Sequence, residues 1–169
     1  MMIRQEELRD QEEVYNLIKK AFETAAEKDG TEQDLVEALR NSEAFIPELS
    51  LVAVEDDRII GHILFSKVRI GNQEELALAP LSVRPKYQRK GIGLALIEKG
   101  HHVAKELGYE YVVVLGHETY YPKAGYIPAS QFGIRAPFDV PDQNFMAIRL
   151  CDGAKKVDGI VQYDKAFGI

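Results

Sequence analysis

Residues 81–107, LSVRPKYQRKGIGLALIEKGHHVAKEL, constrain this chain more than any other stretch, because an apolar run, a glycine-spaced turn and an amphipathic helix follow one another without a break. The helix is expected from about Gly91 to Leu107, with Ile92, Leu96, Val103 and Leu107 as its core-facing stripe and Lys99, Lys105 and Glu106 outside. Gly108 is placed as its left-handed C-cap. The run from Glu110 to Leu115 is then short and continuously apolar, as in a buried strand reached by a helical crossover. Strand, turn, helix and buried strand make a βαβ unit. At the turn, Arg89 and Lys90 stand beside Gly91, Ile92 and Gly93, where the first N–H groups of the helix have no intrahelical partner. Unpaired donors, the positive end of the helix dipole and two cations suit a phosphate, and glycine removes the Cβ that would hold it off.

Neighbouring residues separate three nucleotide-type readings of this turn. A Walker A loop needs Lys then Ser or Thr after its last glycine, and here Leu94-Ala95 follow. A dinucleotide fingerprint needs Gly or Ala at 96 and an acidic residue at the far end of the next strand; position 96 is Leu, and Glu110 begins that strand. What remains is Gln88-x-x-Gly91-x-Gly93 after a strand ending Leu81-Ser82-Val83, with Pro85 two residues later. This resembles motif A of the GNAT-family N-acetyltransferases. Downstream, Tyr120-Tyr121-Pro122-Lys123-Ala124-Gly125-Tyr126 resembles the family's motif B, an aromatic-Tyr-x-x-x-Gly-aromatic segment. The resemblance extends over nearly the whole chain, is weakest in 1–50 and 151–169, and points to a bacterial subgroup through the Phe-Gly-Ile, Pro-Phe-x-Val-Pro and Phe-Met-Ala elements of 132–150.

The rest of the chain is consistent with that family's α/β architecture, a central twisted mixed sheet of about six or seven strands flanked by helices in one domain over 1–169. Residues 1–6 read as a first strand. Asp10 with Glu13 reads as the capped start of a helix whose Val14, Leu17, Ile18, Ala21, Phe22 and Ala25 share one face. Gly30 closes that region, and Thr31 and Asp34 open a second helix carrying Leu35, Val36 and Leu39. Residues 51–55, 59–70 and 75–83 follow as an antiparallel meander turning at Asp56-Asp57 and Gly71-Asn72. Pro80 cannot donate to a ladder and implies a bulge or an edge in the third strand. In the resembling family, the corresponding strand splays from its neighbour and frees backbone groups for the pantetheine arm of acetyl-coenzyme A. Further strands are expected at 145–150 and 160–163.

The resemblance implies transfer of an acetyl group from acetyl-coenzyme A to an amine. Residue by residue, it implies cofactor contacts from Leu81, Ser82, Val83, Gln88, Arg89, Lys90, Gly91, Ile92 and Gly93, the diphosphate lying on the turn and the 3′-phosphate near Arg89 and Lys90. A splayed N–H near Leu81 would serve the oxyanion, and Tyr121 matches the proton donor to the departing thiolate. Glu74, Glu75, His117, Glu118 and His62 are the titratable groups available for removing the amine proton, and the pattern selects none of them. The acceptor is open between a small amine, an amino-acid-like metabolite and a protein amine. Carboxylates in Ala26–Glu32, Glu74-Glu75 and Glu118 argue for a cationic acceptor, whereas Arg135 would suit a zwitterion.

Composition narrows the partners. A formal charge of −6 argues against nucleic acid, since the field of the molecule would repel a phosphate backbone. No apolar run approaches the roughly 20 residues that span a bilayer, and the polar N-terminus is unlike a signal sequence, so no membrane partner and a cytoplasmic location are expected. Cys151 is the one cysteine and can form no internal disulfide. No metal is expected: His101 and His102 are adjacent, diverge on a helix and read as solvated surface. A homodimer is compatible with all of this.

Overall fold

The computed structural model describes residues 1–23 and 31–169. The expectations for Ala25, for Gly30 and for the segment from Ala26 up to Gly30 therefore lie outside the described residues. In chain order the elements are β1 (Met2–Gln5), α1 (Gln11–Glu23), α2 (Glu32–Arg40), β2 (Ser50–Glu55), β3 (Arg58–Ile70), β4 (Gln73–Val83), α3 (Ile92–Glu106), β5 (Tyr111–Leu115), β6 (Ile127–Pro128), β7 (Ile134–Arg135), β8 (Phe145–Arg149) and β9 (Gly159–Gln162). Seven of these strands have four residues or more, in line with expectation. The two-residue strands β6 and β7 were not anticipated, because so short a pairing leaves no periodicity to read.

The strand order is β1-β2-β3-β4-β5-β8-β6, and β9 joins the far end of β3 while pairing with β7. β4 and β5 are parallel, as the crossover through α3 requires. α1 and α2 cover one face: Val14, Leu17, Ile18, Val36 and Leu39 pack on Val52, Ile59 and Leu64. α3 covers the other, with Leu96, Ile97 and Ala104 against Ile60, Ile63, Phe65, Leu76 and Leu78. The C-terminal segment straps the sheet, Val157 and Val161 packing with Tyr111 and Val113, and Phe167 reaching the α1–α2 layer.

Three local expectations are corrected. Asp10 does not cap α1 but ends a short 3₁₀ turn, Leu8–Asp10, where its carboxylate binds the Arg4 guanidinium and the Glu7 N–H. Arg4 holds its pKa below the usual carboxylate range, the pairing outweighing the upward effect of burial. The buried stripe of α3 is Ile92, Gly93, Leu96, Ile97, Gly100 and Ala104, so Val103 is half-buried and Leu107 is 42% exposed. Glycine draws the stripe round the helix, because a Cβ on Gly100 would stand 2.1 Å from Phe65 Cε1 and the sheet can approach only where that atom is missing. The third correction is His101, which is no solvated surface residue: its Nε2 lies 2.7 Å from the buried Tyr126 hydroxyl, and burial lowers its pKa to about 4. His102 does stay exposed, paired with Glu106 one turn on. The C-terminus of α3 follows expectation, since Gly108 is left-handed and the Gly108→Lys105 and Tyr109→Ala104 bonds form a Schellman motif.

Candidate active site

Pro80 has the consequence its chemistry demands. Ile63 faces Leu81 and Phe65 faces Leu78 across the β3–β4 ladder, so Ala79 and Pro80 together oppose Leu64. The extra residue changes the alternation, placing Leu78, Leu81 and Val83 all on the α3 side, whereas a regular strand would turn Leu81 away. Just before the bulge β4 parts from β5. The two pair only at Leu76–Val112 and Ala77–Val113, after which β5 continues against β8 to Leu115 while Leu81–Val83 pair with β3 alone. The backbone edge of Leu81–Val83 on the β5 side is therefore open.

The turn after β4 closes one end of this opening. Pro85–Tyr87 form a 3₁₀ turn, Gln88 Nε2 donates back to the Val83 carbonyl at 3.0 Å, and Arg89 and Gly91 take left-handed φ of 63° and 83°. Gly91 is the N-cap of α3, no side chain caps the helix, and its carbonyl accepts from Ala95 N at 3.0 Å. The N–H groups of Ile92, Gly93 and Leu94 thus face a cavity of about 770 Å³, within the range of small-molecule sites.

Leu81, Val83, Gln88, Arg89, Gly91, Ile92 and Gly93 line this cavity. Ser82 and Lys90 do not. The Ser82 side chain is buried on the opposite face of β4, paired with His62, and its Oγ has no hydrogen-bond partner among the described residues. Lys90 is exposed and lies over the Tyr87 ring at 5.7 Å. Sequence reasoning missed Tyr87, Leu94, Thr119, Tyr120 and Lys123 in the wall. Tyr120 and Lys123 sit inside the second motif, whose pattern drew attention to Tyr121 instead.

The two glycines differ in their reasons. A Cβ on Gly91 would meet nothing within 4 Å, so glycine there answers to the left-handed backbone. A Cβ on Gly93 would stand 2.1 Å from the Tyr120 hydroxyl oxygen, so glycine there admits Tyr120 against the helix start. Tyr121 is half-buried and is not among the residues lining the cavity. Its ring lies against Gly116, where a Cβ would reach within 2.3 Å of it, and packs edge-on to Tyr120 and Tyr126 with centroids 5.1 Å and 5.8 Å away. Burial, with Tyr120 adding to it, pushes the Tyr121 hydroxyl pKa well up and keeps it protonated.

The titratable candidates separate. His117 lines the cavity, with Nδ1 3.2 Å from Thr119 Oγ1, and Glu118 accepts from Asn144 Nδ2 at 2.8 Å. Glu74 and Glu75 begin β4 and so lie at the closed end of the opening, about 20 Å of strand from Leu81. His62 is fully buried in a polar chain: the Arg40 guanidinium binds Glu6, Ser50 Oγ donates to Glu6 Oε1 at 2.9 Å, and His62 Nε2 lies 3.0 Å from Ser50 Oγ. Because a carboxylate only accepts, the Ser50 proton points to Glu6 and His62 Nε2–H must donate to Ser50. Burial, aided by Arg40, lowers the His62 pKa to about 3. Arg135 is on β7 beside β9, which pairs with Arg69–Ile70, the end of β3 farthest from Gly61 and Val83. No cluster among the described residues could hold a metal ion, and no helix among them is long and apolar enough to cross a membrane.

Comparison with known proteins agrees with this architecture. Residues 11–125 match the acetyltransferase (GNAT) family model. The uncharacterized N-acetyltransferase YjhQ of Escherichia coli is 39% identical over 127 residues, covering 72% of this chain and 70% of its own length. YhbS of the same organism is 32% identical over 171 residues, 99% of this chain and 98% of its own. The crystal structure of Escherichia coli YhbS in complex with CoA matches with a TM-score of 0.90 at 30% identity, over 99% of this chain and 92% of that one. A Brucella melitensis GNAT-family acetyltransferase in complex with acetyl-CoA gives 0.81 at 33% identity, over 98% and 97%. With the parted strands, the glycine-led helix start and these matches together, the chain belongs to the GNAT family of acetyltransferases.

Proposed function

We propose that the chain transfers the acetyl group of acetyl-CoA to a primary amine by direct attack of the amine on the thioester. The observation that carries this reading is the parting of β4 from β5 after Ala77 and Val113, which opens the backbone of Leu81–Val83 beside a helix start with uncapped N–H donors. The diphosphate suits the Ile92–Leu94 amides, with Arg89 and Lys123 on the cavity wall and Lys90 close by to offset phosphate charge. The pantetheine amides suit the open edge of Leu81–Val83, as an added strand would. Ser82 would take part through its backbone, since its side chain faces the other way.

Attack on the thioester places negative charge on the carbonyl oxygen, and a free N–H at the parted strand is positioned to receive it. The thiolate leaves with a proton that Tyr121 is assigned to supply, and the proton that the attacking amine gives up restores the tyrosine. Its place in the motif supports that role, and its raised pKa keeps the hydroxyl protonated until the thiolate departs. The carboxylate argument for a cationic acceptor loses Glu74 and Glu75 to the closed end of the opening, so the acceptor class here is a primary amine. The decisive experiment follows thiol release from acetyl-CoA over a panel of monoamines, diamines, amino acids and peptide N-termini. Acceptor-dependent release confirms transfer, whereas tight acetyl-CoA binding with no release on any amine would make the protein an acyl-CoA-binding member of the fold.

A further inference from the structure

The two halves of the sheet meet along a very short seam. β4 and β5 share only the pairs Leu76–Val112 and Ala77–Val113, although each is paired much further with its other neighbour. Just below the seam a side chain takes over the work of the main chain. Glu75 Oε1 accepts from Glu110 N at 2.9 Å and from Tyr111 N at 3.0 Å, the two donors that open β5. The carboxylate is 3% exposed, and burial raises its pKa while the two N–H groups act against that rise. A surface carboxylate at a strand end would show neither feature.

We propose that Glu75 is a positioning residue for the acetyl-CoA reaction, the pin about which β4 and β5 diverge and which sets the width of the opening at Leu81. The proposal rests on acetyl-CoA occupying that opening. Its physical basis is leverage. At about 3.3 Å per residue, the contact between β4 and β5 spans roughly 7 Å with Glu75 included and only about 3 Å without it, while Leu81 lies roughly 13 Å beyond Ala77. A slip of half an ångström at the seam then becomes about 1 Å at Leu81 with the pin and about 2 Å without it, enough to misplace a backbone donor. The carboxylate needs only its acceptor oxygen for this, so an amide in its place keeps the function.

The test compares Glu75→Gln, Glu75→Leu and, should Leu prevent folding, Glu75→Asp, whose shorter side chain cannot reach both N–H groups. Leu17→Ala, in the α1 layer away from the opening, serves as a control for general destabilisation. Amide hydrogen exchange at Tyr111 and Val113, whose N–H groups face β4, reports the seam, and calorimetric titration with acetyl-CoA together with steady-state kinetics reports the opening. Glu75→Gln is expected to stay within about twofold of wild type, and Glu75→Leu or Glu75→Asp to exchange faster at both amides and bind acetyl-CoA about tenfold more weakly, with the loss mainly in KM. Unchanged affinity in the Leu or Asp variant, an equal loss in Leu17→Ala, or failure of Gln to preserve binding would each overturn the proposal. If the wild-type protein takes up no acetyl-CoA, the functional reading fails, and the pin stands or falls on exchange at Val113.

Discussion

Replacing Gly93 by alanine separates two explanations of why the helix start needs glycine. The new Cβ would stand 2.1 Å from the Tyr120 hydroxyl oxygen, 3.4 Å from Tyr120 Cζ and 3.6 Å from Leu81 Cδ2, so only the hydroxyl has to move, by roughly 1.3 Å to reach ordinary contact. A swing of about 10° at the base of the Tyr120 side chain achieves this, less than the ~30° departure that costs about 0.5–1.5 kcal/mol. Alanine for glycine near a helix start returns up to about 1 kcal/mol of propensity. The net effect on stability should be within about 1 kcal/mol, a few degrees in Tm at most for a chain of this size. Binding should suffer more, because the displaced hydroxyl moves into the cavity that Tyr120 lines. We expect Gly93→Ala to weaken acetyl-CoA binding about tenfold, or about 1.4 kcal/mol. Titration calorimetry on Gly93→Ala, Tyr120→Phe and the double variant gives the coupling. With the hydroxyl gone the closest Tyr120 atom is Cζ at 3.4 Å, and most of the affinity should return. An equal loss in both backgrounds would refute this account and show that the Cβ acts on the ligand's phosphate directly.

Tyr121→Phe should lower kcat about 10²-fold with little change in acetyl-CoA affinity, and steady-state kinetics showing the loss wholly in binding would remove Tyr121 as proton donor. Gly91→Val should abolish acetyl-CoA binding in a calorimetric titration, since a β-branched residue is strained at the left-handed φ of 83° that shapes the turn and its side chain would enter the space before the helix start; retained affinity would place the phosphates elsewhere. Acidification should destabilise the fold through His62 and His101, whose folded-state pKa values of about 3 and about 4 lie below the unfolded value. The unfolded chain then binds protons that the folded chain refuses, so this stability is complete above about pH 6.5 and is lost as pH falls toward those values. Urea titrations from pH 7.5 to 5 should show that slope, and His101→Leu should shed about one proton of it. Arg40→Leu leaves the Glu6 carboxylate buried without its cation and should cost about 3 kcal/mol in the same urea assay.

Local chemistry made the βαβ unit legible in the sequence. Gly91 before a periodic apolar run, Gly108 after it and the apolar Tyr111–Leu115 strand act through neighbouring residues, so order in the chain carries the information. Pro80 belongs with them: a missing N–H disrupts a ladder wherever the partner strand lies, and the bulge opposite Leu64 appeared where proline required it. Motif matching reached further, to the family and to a glycine-led helix start at Gly91, because that turn is a local constellation.

What only the tertiary structure decided involves groups far apart in sequence. The stripe of α3 turned toward Gly100 because Phe65 approaches there, an event in β3 that no window around the helix contains. His101 became a half-buried partner of Tyr126 for the same reason, 25 residues away. Glu75 could not be told from a strand-end carboxylate until β5 was seen to begin on it, 35 residues later. Tyr120 and Ser82 show the finest limit. The sequence marked both neighbourhoods, but which of two adjacent tyrosines meets the cavity, and which face of β4 carries Ser82, follows from the bulge and the packing of 120–126 on the start of α3. Those are distances between elements, and periodicity along one element does not contain them.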